Sequence, residues 1–431
     1  MKKILIFILI SIVLGLNFCW AKDFNVSDFG AIGDGVFDNT SAFQKALDAA
    51  GEAKYGTVIV DNGNYLFKGH LTVPTGVTLK GTRSSVPANN GIRDQGLPLP
   101  TEGGSTLMPT EHAGTEEGEA FITLNTNSTL LGFVIYYPNQ TIDQIPTPYP
   151  WAVAMRGKNP ALLDCELLNP YNGIDASKNE RHLVRNISGQ PLRRGIFTDE
   201  IYDIGRWENI HWNPWYSMRG KLWDWQQENG EAFILGKSDW HYIFDTFAYG
   251  YSIGYRFIDT GKGSTNGQMI GAAADGCNKA IQIDSASPIG LLITNGQFVS
   301  MFKDDRVMVE IKASNKNGTI MFQNCSFWGP ADKNVVVESG DVTLQNCNFV
   351  NWDSKREGSP SIDVKAGNVI INSCRFQENK LPLEVGKDAK AVIFTSNIMK
   401  GTKTPIVDSK VVFEEGNNIY GVNTPTPFAS P

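Results

Sequence analysis

Two stretches of this chain say nearly the same thing. Residues 318–327 read Gly-Thr-Ile-Met-Phe-Gln-Asn-Cys-Ser-Phe, and residues 340–349 read Gly-Asp-Val-Thr-Leu-Gln-Asn-Cys-Asn-Phe. Each is a short alternating apolar run, then Asn-Cys, then a large apolar anchor. Clearer copies of the pattern end at Phe298, Phe327, Phe349, Phe376, Ile398 and Ile419, and weaker ones at Ile135, Leu167, Trp212, Ala248 and Ala274. The shortest steps are 21 and 22 residues and the widest, Leu167 to Trp212, is 45. A unit of about 22 residues, lengthened by insertions in its first half, is the signature of a β-solenoid. Its strands stack in parallel about 4.8 Å apart, so like residues pile on like. Cys325, Cys347 and Cys374 should form one interior column, with Asn324, Asn346 and Ser373 bonding backbone groups at the bend before it. No unit buries its own apolar face, so stability comes from stacking.

A chain of 431 residues would ordinarily suggest two or three domains. A solenoid escapes that expectation, and residues 22–423 read as one elongated domain: an amino-terminal segment 24–80, loop-rich coils 81–260 and regular coils 261–421. Residues 1–21 have the charge and apolar pattern of a secretory signal peptide, cut near Ala21, too short in its apolar run to span a bilayer. A lipid anchor on Cys19 is disfavoured by the bulky Phe18 before it. Residues 424–431 read as a tail. The expected location is therefore periplasmic or extracellular. Loss of Lys2 and Lys3 takes the formal charge from −7 to −9, which argues against nucleic acid or anionic membrane as partner. Five cysteines remain (165, 277, 325, 347 and 374), better explained as stacked core thiols than as a disulfide framework.

Asp28-Phe-Gly-Ala-Ile-Gly-Asp-Gly35 is a glycine-rich turn, followed by a helix pattern with Ala42, Phe43, Ala46, Leu47 and Ala50 on one face. Ser41 with Gln44 fits a capping box. Such a helix would cover the open end of the stack, and strands Thr57–Val60, Tyr65–Phe67, Leu71–Val73 and Val77–Leu79 would begin it. At Phe24–Leu79 the sequence resembles the pectate-lyase-like superfamily, closest to the group related to family 28 glycoside hydrolases. The resemblance implies an all-β fold: a single-stranded right-handed parallel β-helix with an N-terminal capping helix. Where that family usually shows Asp-Asp-Thr, this chain has Asp38-Asn39-Thr40. The same opening precedes hydrolases, lyases, uronate epimerases and phage tailspikes, so it implies fold more than activity.

Three further stretches, Arg83–Glu119, Asn139–Trp151 and Pro170–Arg194, read as loops or insertions, and Ser217–Asn229 as a short helical excursion. They place a groove over the middle of the helix. Six of the ten tryptophans lie between residues 207 and 240. Trp212 falls on an anchor and belongs to the core, whereas Trp215, Trp223, Trp225 and Trp240 would either stack on sugar rings or pack loops onto the solenoid. Apolar strands end in Asp199, Asp259 and Asp284, 13, 15 and 14 residues before their anchors, with Asp239 between them. Stacked in register, these acids would bracket the carboxylate separations of glycosidases. The plain alternative is that they cap turns, as Asp164 and Asp245 at the bend position do. Arg256 should face outward, joined by Arg156 and the basic set Lys178, Arg181, Arg185, Arg193 and Arg194. These would hold uronate carboxylates or be ordinary solvated charges. His241 and His211 are candidate bases with an equally good structural explanation. No His/Cys spacing suggests zinc.

The polygalacturonase-type Asn-Thr-Asp and Gly-His-Gly motifs are missing, and Asp304-Asp305 stands alone. The calcium-dependent lyases' acid cluster and the epimerases' Tyr-Gly-Phe-Asp-Pro-His pattern are missing too, so no catalytic residue carries over. Three readings follow: a glycoside hydrolase using two of Asp199, Asp239, Asp259 and Asp284 without a cofactor; a uronate lyase or epimerase built on arginine or lysine, with Ca²⁺ a candidate cofactor; or a non-catalytic carbohydrate-binding or adhesion protein. In each the partner is a polysaccharide or oligosaccharide.

Overall fold

The computed structural model describes residues 22–85, 104–301 and 306–422. Among them, thirty-six strands join by parallel pairing into one continuous sheet. One coil shows how the sheet winds into three faces. Trp151–Met155 lies on the first face. Ala161–Leu167 then runs along the second face, bends at Asp164 and continues along the third. The next coil repeats this with Asn172–Asp175 and Leu183–Gly189, bending at Asn186.

The bend residue adopts a left-handed backbone in coil after coil. Asp164, Asn186, Asn209, Asp245, Asn295, Asn324, Asn346, Ser373 and Ser396 all have φ between 49° and 59°. Short polar side chains tolerate this region best. Their side chains were expected to bond backbone, but several bond each other instead. Asn186 Nδ2 donates to Asp164 Oδ1 (2.8 Å), Asn209 to Asn186 (3.0 Å) and Asn324 to Asn295 (2.6 Å). The polar groups thus run as a ladder along one corner.

Three residues beyond each bend, the anchors stack in one inward column. Register runs Ile135, Leu167, Gly189, Trp212, Ala248, Ala274, Phe298, Phe327, Phe349, Phe376, Met399. Two expectations are corrected here. The 45-residue step hides a complete coil whose anchor is Gly189, invisible to an apolar pattern because it has no side chain. A Cβ there would lie 2.0 Å from the Leu167 carbonyl oxygen. At the far end the anchor is Met399, one residue after Ile398, and Ile419 is exposed. The stretches read as loops also contain strands: Ser105–Pro109 within 83–119, and Asn172–Asp175 and Leu183–Gly189 within 170–194. All five described cysteines are buried and free, with Cys325, Cys347 and Cys374 two residues before successive anchors.

Helix α1 (Thr40–Glu52) buries Ala42, Phe43, Ala46, Leu47 and Ala50 over the first coils. It has no capping box. Its start is held by Asp38 Oδ1, which accepts Thr40 N (3.1 Å) and Oγ1 (2.7 Å). Gln44 instead reads an exposed strand edge, donating to Thr72 O (3.1 Å) and accepting Thr72 N (3.0 Å). The helix therefore blocks edge pairing at this end. The leader expected at 1–21, the tail at 424–431 and Asp304-Asp305 lie outside the described residues. Among the described residues no helix is long and apolar enough to cross a membrane.

Because Phe349 is stacked between Phe327 (5.1 Å) and Phe376 (4.9 Å), Phe349→Ala should cost about 3–5 kcal/mol in urea unfolding. A loss under 1 kcal/mol would mean that the aromatic column is not what holds these coils.

Candidate active cleft on the first face

The first face gathers the charged side chains, because parallel register turns each outward position into a row. One row reads Trp151, Asn172, Arg194, Glu231, Ile253. A second reads Ala154, Asp175, Phe197, Ile234, Arg256, Gln282. From these rows Trp151, Asp175, Arg194, Phe197, Glu231, Ile234 and Arg256 join Arg193 and Ile258 around an open cleft of about 420 Å³. An insertion meets the cleft at Arg193. Helix α2 (Gly220–Asn229) is tied down by the Leu222 N–H to Ile142 O (3.2 Å) and by Gln190 Nε2 to Gln226 Oε1 (2.9 Å), and its last carbonyl, on Asn229, accepts Arg193 Nη1 (2.7 Å).

Ion pairs organise the floor. Arg256 lies between two carboxylates, with Nη1 2.5 Å from Glu231 and Nε 3.0 Å from Asp284. Desolvation would lower the Arg256 pKa, but the charges of Glu231 and Asp284 outweigh it and hold the guanidinium above its ordinary value. Glu231 also lies 3.8 Å from Arg193 Nη1, and Asp284 accepts from Gln282 Nε2 (2.9 Å). Upstream, Asp175 pairs with Arg156 (2.5 Å) and accepts both the N–H and hydroxyl of Ser177. Arg194 stands over the Trp151 ring (5.9 Å), which stacks on Phe197 (6.2 Å, 18°). Among the described residues no group of three or more His, Cys, Asp or Glu side chains is placed to hold a metal ion.

The expected site residues separate sharply. Asp199 and Asp284 share one register position three coils apart, and Asp259 falls one residue beyond it. Only Asp284 joins the cleft's ion pairs. Asp199 is buried, accepting Lys237 N (2.7 Å) and Thr260 Oγ1 (2.7 Å). Asp259 accepts Gly261 N (2.7 Å) and Gly263 N (3.1 Å), and Asp239 bonds Lys237 Nζ and Asn266 Nδ2. These three hold turns. The tryptophans mostly hold the insertion: Trp223 is buried against Tyr249 (6.3 Å, 14°), Trp225 packs on Tyr171 (5.7 Å), and Trp215 meets His211 (5.4 Å). Trp240 is exposed but lines a different depression with Gln268 and Leu292. Of the basic set, Arg156, Arg193, Arg194 and Arg256 reach the cleft region, whereas Arg181 pairs with Asp203 and Lys178 with Glu200. Reading from sequence missed Trp151, Asp175 and Glu231. The available signal was their place at the start or end of apolar first-face strands, aligned with Arg194 and Arg256.

His241 is no surface base, because it lies inside the solenoid. His182, Gly205 and His241 take the same position in successive coils, just before Leu183, Arg206 and Tyr242. The two rings face each other (5.5 Å) across Gly205, where a Cβ would lie 2.5 Å from His241 Cε1 and 2.6 Å from His182 Cε1. Each Nδ1 has a partner, Asn179 or Ser238, while neither Nε2 has one among the described residues. Burial lowers the His182 pKa to about 3, helped by Arg206, and holds that of His241 well below its ordinary value, helped by His182.

Comparison with known proteins agrees with the fold. Residues 24–155 match the family described as rhamnogalacturonase A/epimerase, pectate lyase-like. This segment is pectate lyase-like. A 47-residue stretch of the chain is 55% identical to mannuronan C5-epimerase AlgE1 of Azotobacter vinelandii, covering 11% of this chain and 3% of the epimerase. A stretch of equal length is 51% identical to alginate lyase 7 of the same organism, covering 11% of this chain and 6% of the lyase. The family 28 exopolygalacturonase of Yersinia enterocolitica shares the fold at TM-score 0.51 and 15% identity, over 94% of this chain and 79% of that one. The cleft's ion pairs around Arg256 fall beyond the pectate lyase-like segment.

The buried imidazoles set a pH dependence. Their folded pKa values lie below the unfolded value near 6.5, so the unfolded chain takes up protons that the folded chain refuses. Stability is complete above about pH 6.5 and should fall by about 1.4 kcal/mol per pH unit for each imidazole as pH drops below it. In urea unfolding from pH 7 to 5, His182→Asn and His241→Asn should each flatten this slope. An unchanged slope would place the acid sensitivity elsewhere.

Proposed function

We propose that this protein is an exported polysaccharide-active β-helix that hydrolyses a uronate-containing polymer in the first-face cleft. The observation behind the reading is the convergence of Glu231 and Asp284, from strands two coils apart, on the single guanidinium of Arg256. Their strands lie about 10 Å apart, and the two side chains close part of that gap by reaching the same guanidinium. Trp151 offers a flat apolar surface to a sugar face, with Arg193 and Arg194 beside it to receive uronate carboxylates.

The chemistry follows from competition for Arg256. A uronate carboxylate that takes the guanidinium releases Asp284 from its ion pair and leaves that carboxyl free to act as general acid. Asp284 then donates a proton to the leaving glycosidic oxygen. Glu231, still beside Arg193, draws the proton from the attacking water as general base. Arg256 itself is a poor base, because a guanidinium paired with two carboxylates does not give up its proton. A second reading, β-elimination or epimerisation at a uronate, draws on the same arginines, which would neutralise the sugar carboxylate while Glu231 removes the C5 proton.

Incubation with neutral and uronate polysaccharides tests both. Reducing ends without the ultraviolet absorbance of an unsaturated uronate support hydrolysis, and a rise in that absorbance supports elimination. Glu231→Gln should lower kcat by about 100-fold or more, whereas Asp259→Asn, a change at a solvent-exposed turn, should leave it near wild type. Full turnover in Glu231→Gln would reject this assignment of the cleft.

A further inference from the structure

The third face has a depression of its own. Its outward row reads His211, Phe247, Ala273, Gln297. At Ala273 the row loses its bulk, and a hollow of about 300 Å³ opens between Phe247 on one side and Gln297, Val299 and Trp328 on the other. Small residues, Gly271 to Ala274, make its floor. Phe247 is held edge-on against His211 (4.8 Å, 77°), and His211 against Trp215 (5.4 Å, 70°), so a row of rings leads into the hollow. None of Trp215, His211, Phe247 and Trp328 is fully buried.

At the edge of this hollow stands Asp275, aligned with Tyr249 of the preceding coil. Its Oδ1 is buried and has no hydrogen-bond donor among the described residues. An unsatisfied buried acceptor is unfavourable, and a small shift of this partly exposed side chain would turn it to a donor in the hollow. Burial raises the Asp275 pKa, despite the opposing Gly276 N–H. Asn295 and Gln297 add amides to the rim.

We propose that the Ala273 hollow is a second saccharide-binding site, distinct from the cleft and directed at neutral sugar residues. The ring faces of Phe247 and Trp328 match the C–H faces of a pyranose, while the Asp275 carboxyl and the neighbouring amides pair with its hydroxyls. No arginine or lysine lines the hollow, in contrast to the cleft. A site on another face of a rigid rod would keep the polymer attached while the cleft works along it. The proposal rests on the polysaccharide reading above for the class of ligand alone.

Neutral hexose oligosaccharides of glucose, mannose and galactose, titrated calorimetrically into the full chain, separate this site from the cleft. At least one should bind, and Ala273→Phe, which fills the hollow from an outward position, should weaken that binding tenfold or more. Asp275→Asn should weaken it in the same direction. The proposal is overturned if no neutral oligosaccharide binds, or if folded Ala273→Phe binds as tightly as wild type. It is also overturned if wild type self-associates in sedimentation and Ala273→Phe abolishes that association, because the hollow is then a subunit contact. Failure of the cleft reading would appear separately, as absence of turnover on uronate polymers.

Discussion

Every feature of this molecule depends on the parallel hydrogen-bond ladder between successive coils. A parallel ladder keeps each residue opposite its counterpart about 4.8 Å away, so a choice made once in the sequence becomes a row in space. Inward rows become the core: the Phe327, Phe349 and Phe376 rings stack in sequence, and the cysteines form their own file. Outward rows become surfaces with a repeating chemistry. A one-residue slip would exchange the two, which is why the left-handed bend, repeated at Asn186, Asn295 and Asn324, matters so much to register.

The same rule explains how a regular scaffold acquires local sites. In the C-terminal coils the first-face rows hold mutually neutralising pairs, such as Lys312 with Glu310 (3.0 Å), Lys333 with Asp363 (2.6 Å) and Lys365 with Glu338 (3.0 Å). These pairs link neighbouring positions on the sheet. Farther up, the equivalent rows hold Trp151, Arg194, Glu231 and Arg256, and helix α2 is joined to them through Arg193. There charges converge in a hollow instead of pairing along a surface. The insertion costs the chain several tryptophans, because Trp223 and Trp225 are used to fasten it.

Buried polar groups mark where the regular core gives way. His182 and His241 occupy a stack position that Gly205 leaves empty, and burial keeps both imidazoles neutral. Thr198 Oγ1 and Trp207 Nε1 are likewise buried without partners among the described residues. All four belong to the coils that carry the cleft. This is the expected place for departures from an apolar interior, since the outward demands on those coils are greatest.

Much of this was legible in the sequence. The 22-residue spacing, the anchor row from Phe298 to Phe376, the cysteine file, the buried face of α1 and the outward turn of Arg256 all follow from local periodicity, and local periodicity is what a solenoid repeats. The coil ending at Gly189 was hidden because a glycine leaves no apolar mark. Asp199, Asp239 and Asp259 looked like site residues because distance from an anchor was the only ruler available, and that ruler does not show that Asp199 turns inward to hold a loop or that Asp259 falls one residue out of register. Tryptophan density likewise marked the insertion without revealing which rings faced inward. Which acids meet which arginines was decided only by tertiary structure. Glu231, Arg256 and Asp284 come from three different coils, and their contact depends on inter-coil register and side-chain direction, neither of which is written in any one stretch of chain.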